Sequence, residues 1–454
     1  MKVVDYMKKL IKLFEIFLFI IFLVLLLFTK QKLIILLTIP ILLFIYFFTK
    51  LPIKRYGLFI FITALIIRLL TIFILKVEVL DDFKTMLDAS RLLIKGNLSF
   101  TNSFYFKNFS YQLGHVIYQA ILLKIYNKVI ILKIVNSIIT SLIVLFIYLI
   151  TKKLFKEKTA RMVSLGYIFY LYPLYLNSVL TNQHIPALLY LIVIYLLLEK
   201  KSTFKTYTII GILLVFANFL RTESIIFIMG IIMFDIITIT KNNYKTIIKN
   251  ISAMTIIFIL GNILLSTLVF ISPLKLQLKN NAPSWKFYCG LSNKYNGTYN
   301  KEDEEKYFNQ KDKDKLLKSR IKNEYKKFPV LFIKKEVILW TQTNYDITIN
   351  NNINSKLYKL ILDFNQGYLN LVILLFVISI YPLKKVKDNK SLLIKIVISL
   401  YILIYALIEI SPRYAYILHI LMFLLIGKSI EIIKGVNNEN KLWIRKKNNE
   451  IFKR

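Results

Sequence analysis

Asp81 and Asp82 follow directly on an apolar run, Arg221 and Glu223 break a second pair of runs, and Glu409 is followed by Arg413 and Tyr414 beside a third. Carboxylates so placed can take a proton from an attacking hydroxyl, and the planar fork of arginine fits phosphate oxygens. His184, in the polar stretch Thr181-Asn182-Gln183-His184, and Arg68, near the middle of an apolar run, complete the set. Ionisable groups within or beside membrane-length apolar segments are costly to place and tend to mark function. Each also has an ordinary reading. Asp82 alone is a loop carboxylate, and His184 alone is a turn residue that satisfies backbone groups. Arg221 and Glu223 can simply pair and cap a hairpin, and Arg413 can snorkel to an interface. His419 reads as a buried polar contact between helices. Arg68 resists such a reading, because its head cannot easily reach water from mid-span.

The elements that must position these groups are transmembrane helices. Of the 454 residues, 57% are hydrophobic, above the roughly 45–50% of a soluble domain. The excess falls in runs of about twenty residues, the length that crosses about 30 Å of hydrocarbon. Twelve crossings are expected: 10–28, 33–48, 57–75, 129–151, 162–180, 185–198, 206–219, 223–240, 251–271, 357–383, 391–410 and 415–433. The run Phe14–Phe28 ends in Thr29-Lys30-Gln31-Lys32 without a small-residue cleavage site, so a retained helix is expected and not a signal peptide. The formal charge of +37 comes from Lys and Arg that punctuate apolar runs. That pattern belongs to the loops of a membrane protein and argues against a nucleic-acid partner. Cys289 is the single cysteine, which excludes an intrachain disulfide and a cysteine-based metal site.

Loop charge sets the expected orientation. With both termini cytoplasmic, the inner loops collect Lys50/Lys54/Arg55, Lys152/Lys153/Lys156/Lys158/Arg161, Lys200/Lys201/Lys205, Lys241/Lys245/Lys249 and Lys384/Lys385/Lys387/Lys390, with the basic tail also inside. Counting 111–127 as a thirteenth crossing would move those lysines outside, so this segment is expected to lie along the outer interface. The domain scheme is therefore a transmembrane part, 1–271 and 357–454, whose outer loop 76–128 carries juxtamembrane helices. A small extracytoplasmic insert, 272–356, completes it. In the insert an amphipathic helix is expected from about Lys313 to Phe328, a solvated acidic face at Glu302–Glu305, and a headgroup anchor at Trp340. All the singled-out polar residues, and the three histidines His115, His184 and His419, then fall on or near the outer face.

Three segments resemble the GT-C superfamily of polyprenyl-phosphate-sugar-dependent glycosyltransferases, particularly bacterial family-39-like members related to protein mannosyltransferases and the lipid A aminoarabinose transferase. The first, Asp81-Asp82-Phe83 with Met86-Leu87-Asp88-Ala89 and Leu93-Ile94-Lys95-Gly96, looks like the family's acidic first-loop motif and juxtamembrane helix. The second, Ala217-Asn218-Phe219-Leu220-Arg221, is similar to its arginine turn. The third, Glu409-Ile410-Ser411-Pro412-Arg413-Tyr414, is similar to its Glu-x-x-x-Arg-Tyr near the last helices. Thr222 stands where a proline often follows the arginine, and Asn182-Gln183-His184 where an acidic residue is common.

The resemblance implies an all-α integral membrane protein of the cell membrane that moves a monosaccharide, with inversion, from a polyprenyl-phosphate donor to an extracytoplasmic acceptor hydroxyl. The acceptor class stays open between protein, cell-wall polymer and lipid. Asp82 is then the expected base, with Asp81 beside it. Arg413, and with it Arg68 or Arg221, is expected at the donor phosphate; Glu409 and Glu223 would orient the arginines, and His184 and Tyr414 would line the sugar or acceptor pocket. No cofactor is expected, and a divalent metal stays open. Membrane lipids are the surroundings of such an enzyme. Two rival readings are a lipid or polysaccharide flippase or transporter, which calls for mid-membrane charges and broken helices, and a glycopolymer polymerase or ligase, whose donor is diphosphate-linked.

Overall fold

The computed structural model describes residues 2–29, 32–75, 77–199, 203–240, 243–342, 355–381 and 391–451. The expected basic loop at Lys384–Lys390, the end of the insert at 343–354 and the side chains of the basic tail lie outside them. Helices α1 (Lys2–Phe28), α2 (Ile39–Phe48) and α3 (Tyr56–Ile74) lead to α4 (Asp81–Ile94), α5 (Phe104–Asn108) and α6 (Leu113–Ile125). The chain continues through α7 (Val129–Leu154), α8 (Glu157–Phe169), α9 (Leu171–Asn177), α10 (His184–Glu199), α11 (Phe204–Leu220), α12 (Ser224–Thr238) and α13 (Tyr244–Ile271). Short helices α14 (Trp285–Gly290), α15 (Lys301–Asn309), α16 (Lys313–Glu324) and α17 (Phe328–Thr341) precede α18 (Ser355–Ile380), α19 (Leu392–Leu407) and α20 (Tyr416–Ile451).

Among the described residues, six helical stretches are long and apolar enough to cross a membrane: Ile11–Phe28, Tyr56–Ile74, Val129–Leu154, Tyr244–Ile271, Lys359–Ile380 and Pro412–Gly435. This is the make-up of a multi-pass helical membrane protein. Shorter apolar helices, α10, α11, α12 and α19 among them, pack beside these. The faces turned outward are themselves apolar. Leu58, Ile62, Ile66 and Leu70 on α3, and Ile256, Leu260, Leu264 and Leu268 on α13, are all exposed at four-residue spacing. Such stripes suit lipid as the solvent and would be a liability in water.

The expected crossing over 162–180 is broken. Helix α8 stops at Phe169, Tyr170 is extended, and a seven-residue α9 follows. Pro173 explains the break: in a continuous helix its ring would collide with the carbonyl of Phe169, and no N–H would be available to bond it. Helix α6, inside the segment 111–127, has 13 residues, about 20 Å at the helical rise and too short for the hydrocarbon thickness.

The segment after α13 is less separate than an appended insert. Helix α17 packs against α1 and α19, and Leu331, Lys335, Glu336, Leu339 and Trp340 are buried there. Trp340 is therefore no headgroup anchor: its Nε1 donates to Glu336 Oε2 at 2.7 Å and its ring meets Phe22 edge-on at 4.7 Å. The acidic patch also differs from a solvated face at one position. Asp303 is buried and takes both guanidinium nitrogens of Arg320, at 2.6 and 3.0 Å, while Glu302 and Glu305 stay exposed.

The insert is fastened to the segment between α19 and α20 by backbone groups. Buried Lys335 donates to Gly290 O (2.9 Å), Ala406 O (3.0 Å) and Ile408 O (2.7 Å). Glu409 N donates to Lys286 O at 2.7 Å, and a parallel bridge joins Thr298 to Ile410. The approach requires glycine at 290, because a Cβ there would stand 2.2 Å from the Ile408 carbonyl carbon. Lys335→Met, which strips three buried carbonyls of their donor, is expected to cost about 2–4 kcal/mol. Thermal unfolding of the detergent-purified protein reads that loss, and an unchanged midpoint would show that the contact does not fasten the insert.

Candidate active site

Four chain segments supply the paired charges of one open cavity of about 980 Å³, which further segments also line. The start of α4 supplies Asp81 and Asp82. The turn between α11 and α12 supplies Arg221 and Glu223, α14 supplies Lys286, and the segment before α20 supplies Glu409, Arg413 and Tyr414. Asp81 and Asp82 occupy the first turn of α4, where the positive end of the helix dipole favours acids. The backbone of Asp81 is left-handed (φ 49°), a conformation that Asp tolerates better than most residues. Helix α4 is held from behind by Ser90, whose hydroxyl reaches Val116 O and Gln119 Oε1, while Gln119 meets His115, itself bound to Leu180 O. Gly114 lets α6 close on α11: a Cβ there would stand 1.7 Å from Phe219 O, two residues before Arg221.

At the centre lies the Tyr414 ring, with three cations around it. Arg221, Lys286 and Arg413 stand 5.2, 5.3 and 5.8 Å from its centroid, within cation–π range. Tyr405 stacks at 6.0 Å. Each cation has a carboxylate, held with different firmness. Arg221 is clamped on Glu223 Oε1 (2.5 and 2.6 Å) and also donates to Asn182 Oδ1. Glu223 accepts from the Tyr401 and Tyr405 hydroxyls. Lys286 Nζ meets Glu409 Oε2 at 3.1 Å and the Tyr414 hydroxyl at 3.4 Å. Arg413 reaches Asp82 Oδ2 at only 3.7 Å and lies 5.1 Å from the Phe83 ring centroid. The Asp82–Arg413 contact is the loosest of the three.

Among the described residues the cavity wall carries five carboxylates, with Asp81 and Glu304 added to those above, against three cations. The Asp82 side chain is 49% exposed to the open cavity; desolvation by the surrounding walls raises its carboxyl above the usual range, and the Arg413 and Lys286 charges pull it partly back. Burial lowers the Lys286 ammonium, but the Glu409 carboxylate beside it outweighs that and holds it well above the ordinary range. Lys286 is therefore a fixed positive charge at neutral pH. The Tyr105 and Tyr111 phenols, which line the same wall, are raised by burial and stay protonated. Among the described residues no group of three or more His, Cys, Asp or Glu side chains is placed to hold a metal ion. Chemically, the site offers a carboxylate of raised basicity, two cations flanking it, and aromatic walls.

Two of the expected residues lie elsewhere. His184 is 1% exposed and does not line the cavity: Nε2 meets Leu176 O at 2.9 Å and Nδ1 meets the Tyr416 hydroxyl at 3.2 Å. Its neighbours Thr181, Asn182 and Gln183 take the place at the wall that was expected of it. Arg68 is fully buried in α3, donates weakly to Ala64 O at 3.4 Å, and finds no hydrogen-bond partner among the described residues for Nε and one terminal nitrogen. His419 pairs with the Tyr170 hydroxyl at 2.9 Å, a buried contact between helices. Lys286 is the residue that sequence reasoning missed. Its signal was thin: it is the one basic residue between Lys279 and Lys294, next to Trp285.

The two arginines should respond oppositely to loss of charge. Arg68→Met removes a buried, poorly satisfied cation and is expected to leave the unfolding midpoint unchanged or raised. Glu223→Gln strands part-buried Arg221 and is expected to cost about 2–3 kcal/mol. Parallel melts of the two variants check this; a destabilised Arg68→Met would mean that its guanidinium is satisfied after all. A scan against models of protein families finds no match, and neither does a search of curated proteins, so the reading of this cavity rests on its own chemistry.

Proposed function

We propose that the protein is a membrane glycosyltransferase of the GT-C kind, moving a monosaccharide from a polyprenyl phosphate to an acceptor hydroxyl. The observation that carries the reading is the loose Asp82–Arg413 contact, 3.7 Å, inside a large cavity at the ends of apolar helices. A donor of this class has its tail in lipid and its phosphate at headgroup level, the level at which apolar helices end. The proposal includes twelve crossings, cytoplasmic termini and an extracytoplasmic cavity, supported by the lysine-rich loops at the other end of the crossings.

In the proposed reaction the donor phosphate takes Arg413 away from Asp82 and lies near Lys286. Loss of the arginine partner makes Asp82 more basic just when donor is bound. The acceptor oxygen then attacks the anomeric carbon from the face opposite the phosphate, and a new C–O bond forms as the bond to the phosphate oxygen breaks. The hydroxyl proton passes to Asp82, the electron pair leaves on the lipid phosphate, and Arg413 and Lys286 stabilise the growing charge. A single displacement of this kind inverts the anomeric configuration. Arg221 and Glu223 act as a wall that holds Tyr414 and Asn182, since their mutual pairing is firm.

Transfer from a polyprenyl-phosphate sugar by the reconstituted protein tests the reading. Asp82→Asn is expected to lower kcat about 10²–10⁴-fold, and full activity in a folded variant would remove Asp82 as base. The pH profile gives a second check. A base works as the carboxylate, so activity is present above the Asp82 pKa and lost as pH falls through it. Because that pKa is raised, the acid limb should lie above the ~4 of an ordinary aspartate. Lys286→Gln removes one of the charges pulling it down and should move the limb further up. A limb that stays put would place Lys286 outside the field of the base.

A further inference from the structure

Among the described residues, the stretch running from α16 into α17 leaves one face without a protein partner. Arg320 and Glu324, four residues apart, turn inward, to Asp303 and to the backbone and side-chain amides of Asn293 respectively. Leu316 and Leu317 also turn inward, against the cluster around Trp285 and Tyr307. With Glu324 and Arg320 spent on the inner face, the outer face carries one acid, Asp314 at its start, and then Lys318, Lys322 and Lys326, all exposed. Between them stand Ile321 (40% exposed) and Tyr325 (55%), and beyond the turn at Tyr325–Lys327 the exposed apolar positions resume at Val330 (57%) and Ile333 (42%).

We propose that this stripe rests on the anionic headgroups of the bilayer in which the bundle sits. Two observations select that occupant. The stripe is continuous with the bundle: Leu331 and then Lys335 are already buried within it, so the exposed apolar groups lie where the chain enters the helical core. Its chemistry is also that of an interfacial helix, with apolar side chains at acyl-boundary depth and lysines drawn to negative headgroups. Docking here has a consequence for the cavity. Arg320 and Glu324 tie the docked helix to Asp303 and Asn293, and the same loop carries Thr298, bridged to Ile410 on the cavity wall. A lipid surface thus steadies the side of the cavity that presents Lys286.

The test uses the full chain in nanodiscs and needs no sugar donor, so it stands or falls independently of the proposed reaction. A spin label is placed at Tyr325→Cys and, as a control, at exposed Glu305→Cys. Native Cys289 is buried, its thiol donating to Thr298 O, so labelling goes to the introduced thiol. In discs containing phosphatidylglycerol the label at 325 is expected to collide with lipid-soluble oxygen more than with a water-soluble nickel chelate, and the label at 305 the reverse. In neutral phosphatidylcholine discs the preference at 325 should weaken. Each of Lys318→Gln, Lys322→Gln and Lys326→Gln should reduce the docking equilibrium about fivefold. A label at 325 as water-exposed as that at 305 in the anionic discs would overturn the proposal and point to a soluble polymer or protein as the occupant.

Discussion

The ammonium of Lys335 holds this architecture together at its critical joint. An ammonium has three donors, and here three backbone carbonyls, from α14, the last turn of α19 and the residue after it, accept them. A buried charge satisfied in this way ties residues about seventy positions apart in sequence to one point. The Glu409 N–Lys286 O bond and the glycine at 290 close the remaining gap. Lys286, Glu409 and the Tyr414 hydroxyl meet as a result, and the cavity gains its one lysine. Without this joint α14 would be a loop beside the bundle, and the site would lack a wall.

The electrostatics of the cavity follow from that convergence. Carboxylates outnumber cations along its wall, yet two of the three cations are firmly paired and only Arg413 is loosely held. An anionic ligand entering such a site competes most easily for Arg413. The carboxylate it displaces, Asp82, already sits above its ordinary range because the surrounding walls desolvate it. Binding and base activation are then two results of the same exchange of partners, which is how the proposed transfer avoids a base that is active without donor.

Much of this was legible in the residues. Asp82, Arg221, Glu223, Glu409 and Arg413 stood out because charges are rare beside apolar runs, Tyr414 as the neighbour of Arg413, and the fold brings all six to one cavity. The same signal misled at Arg68 and His184, since a buried polar contact looks identical in sequence to a ligand-facing group. Tyr416 and Leu176 satisfy His184 from elements that no local spacing predicts. Lys286 and Lys335 were hidden for the opposite reason: among 62 basic residues a lysine carries little information. Trp340 read as an interfacial anchor because its neighbours mix apolar and charged types, but Glu336 supplies its acceptor inside the bundle. The run 162–180 reads as one crossing by its apolar length alone, and Pro173, which cannot continue a helix, divides it.

Equilibrium binding of a fluorescent polyprenyl-phosphate sugar to the purified protein tests the central claim most directly, before any acceptor is known. The account predicts saturable binding at one site, weakened strongly by Arg413→Gln and further by Lys286→Gln, with Arg68→Met left close to wild type. Failure to saturate, or affinity unaltered in the double variant at 286 and 413, would contradict a donor phosphate held in this cavity.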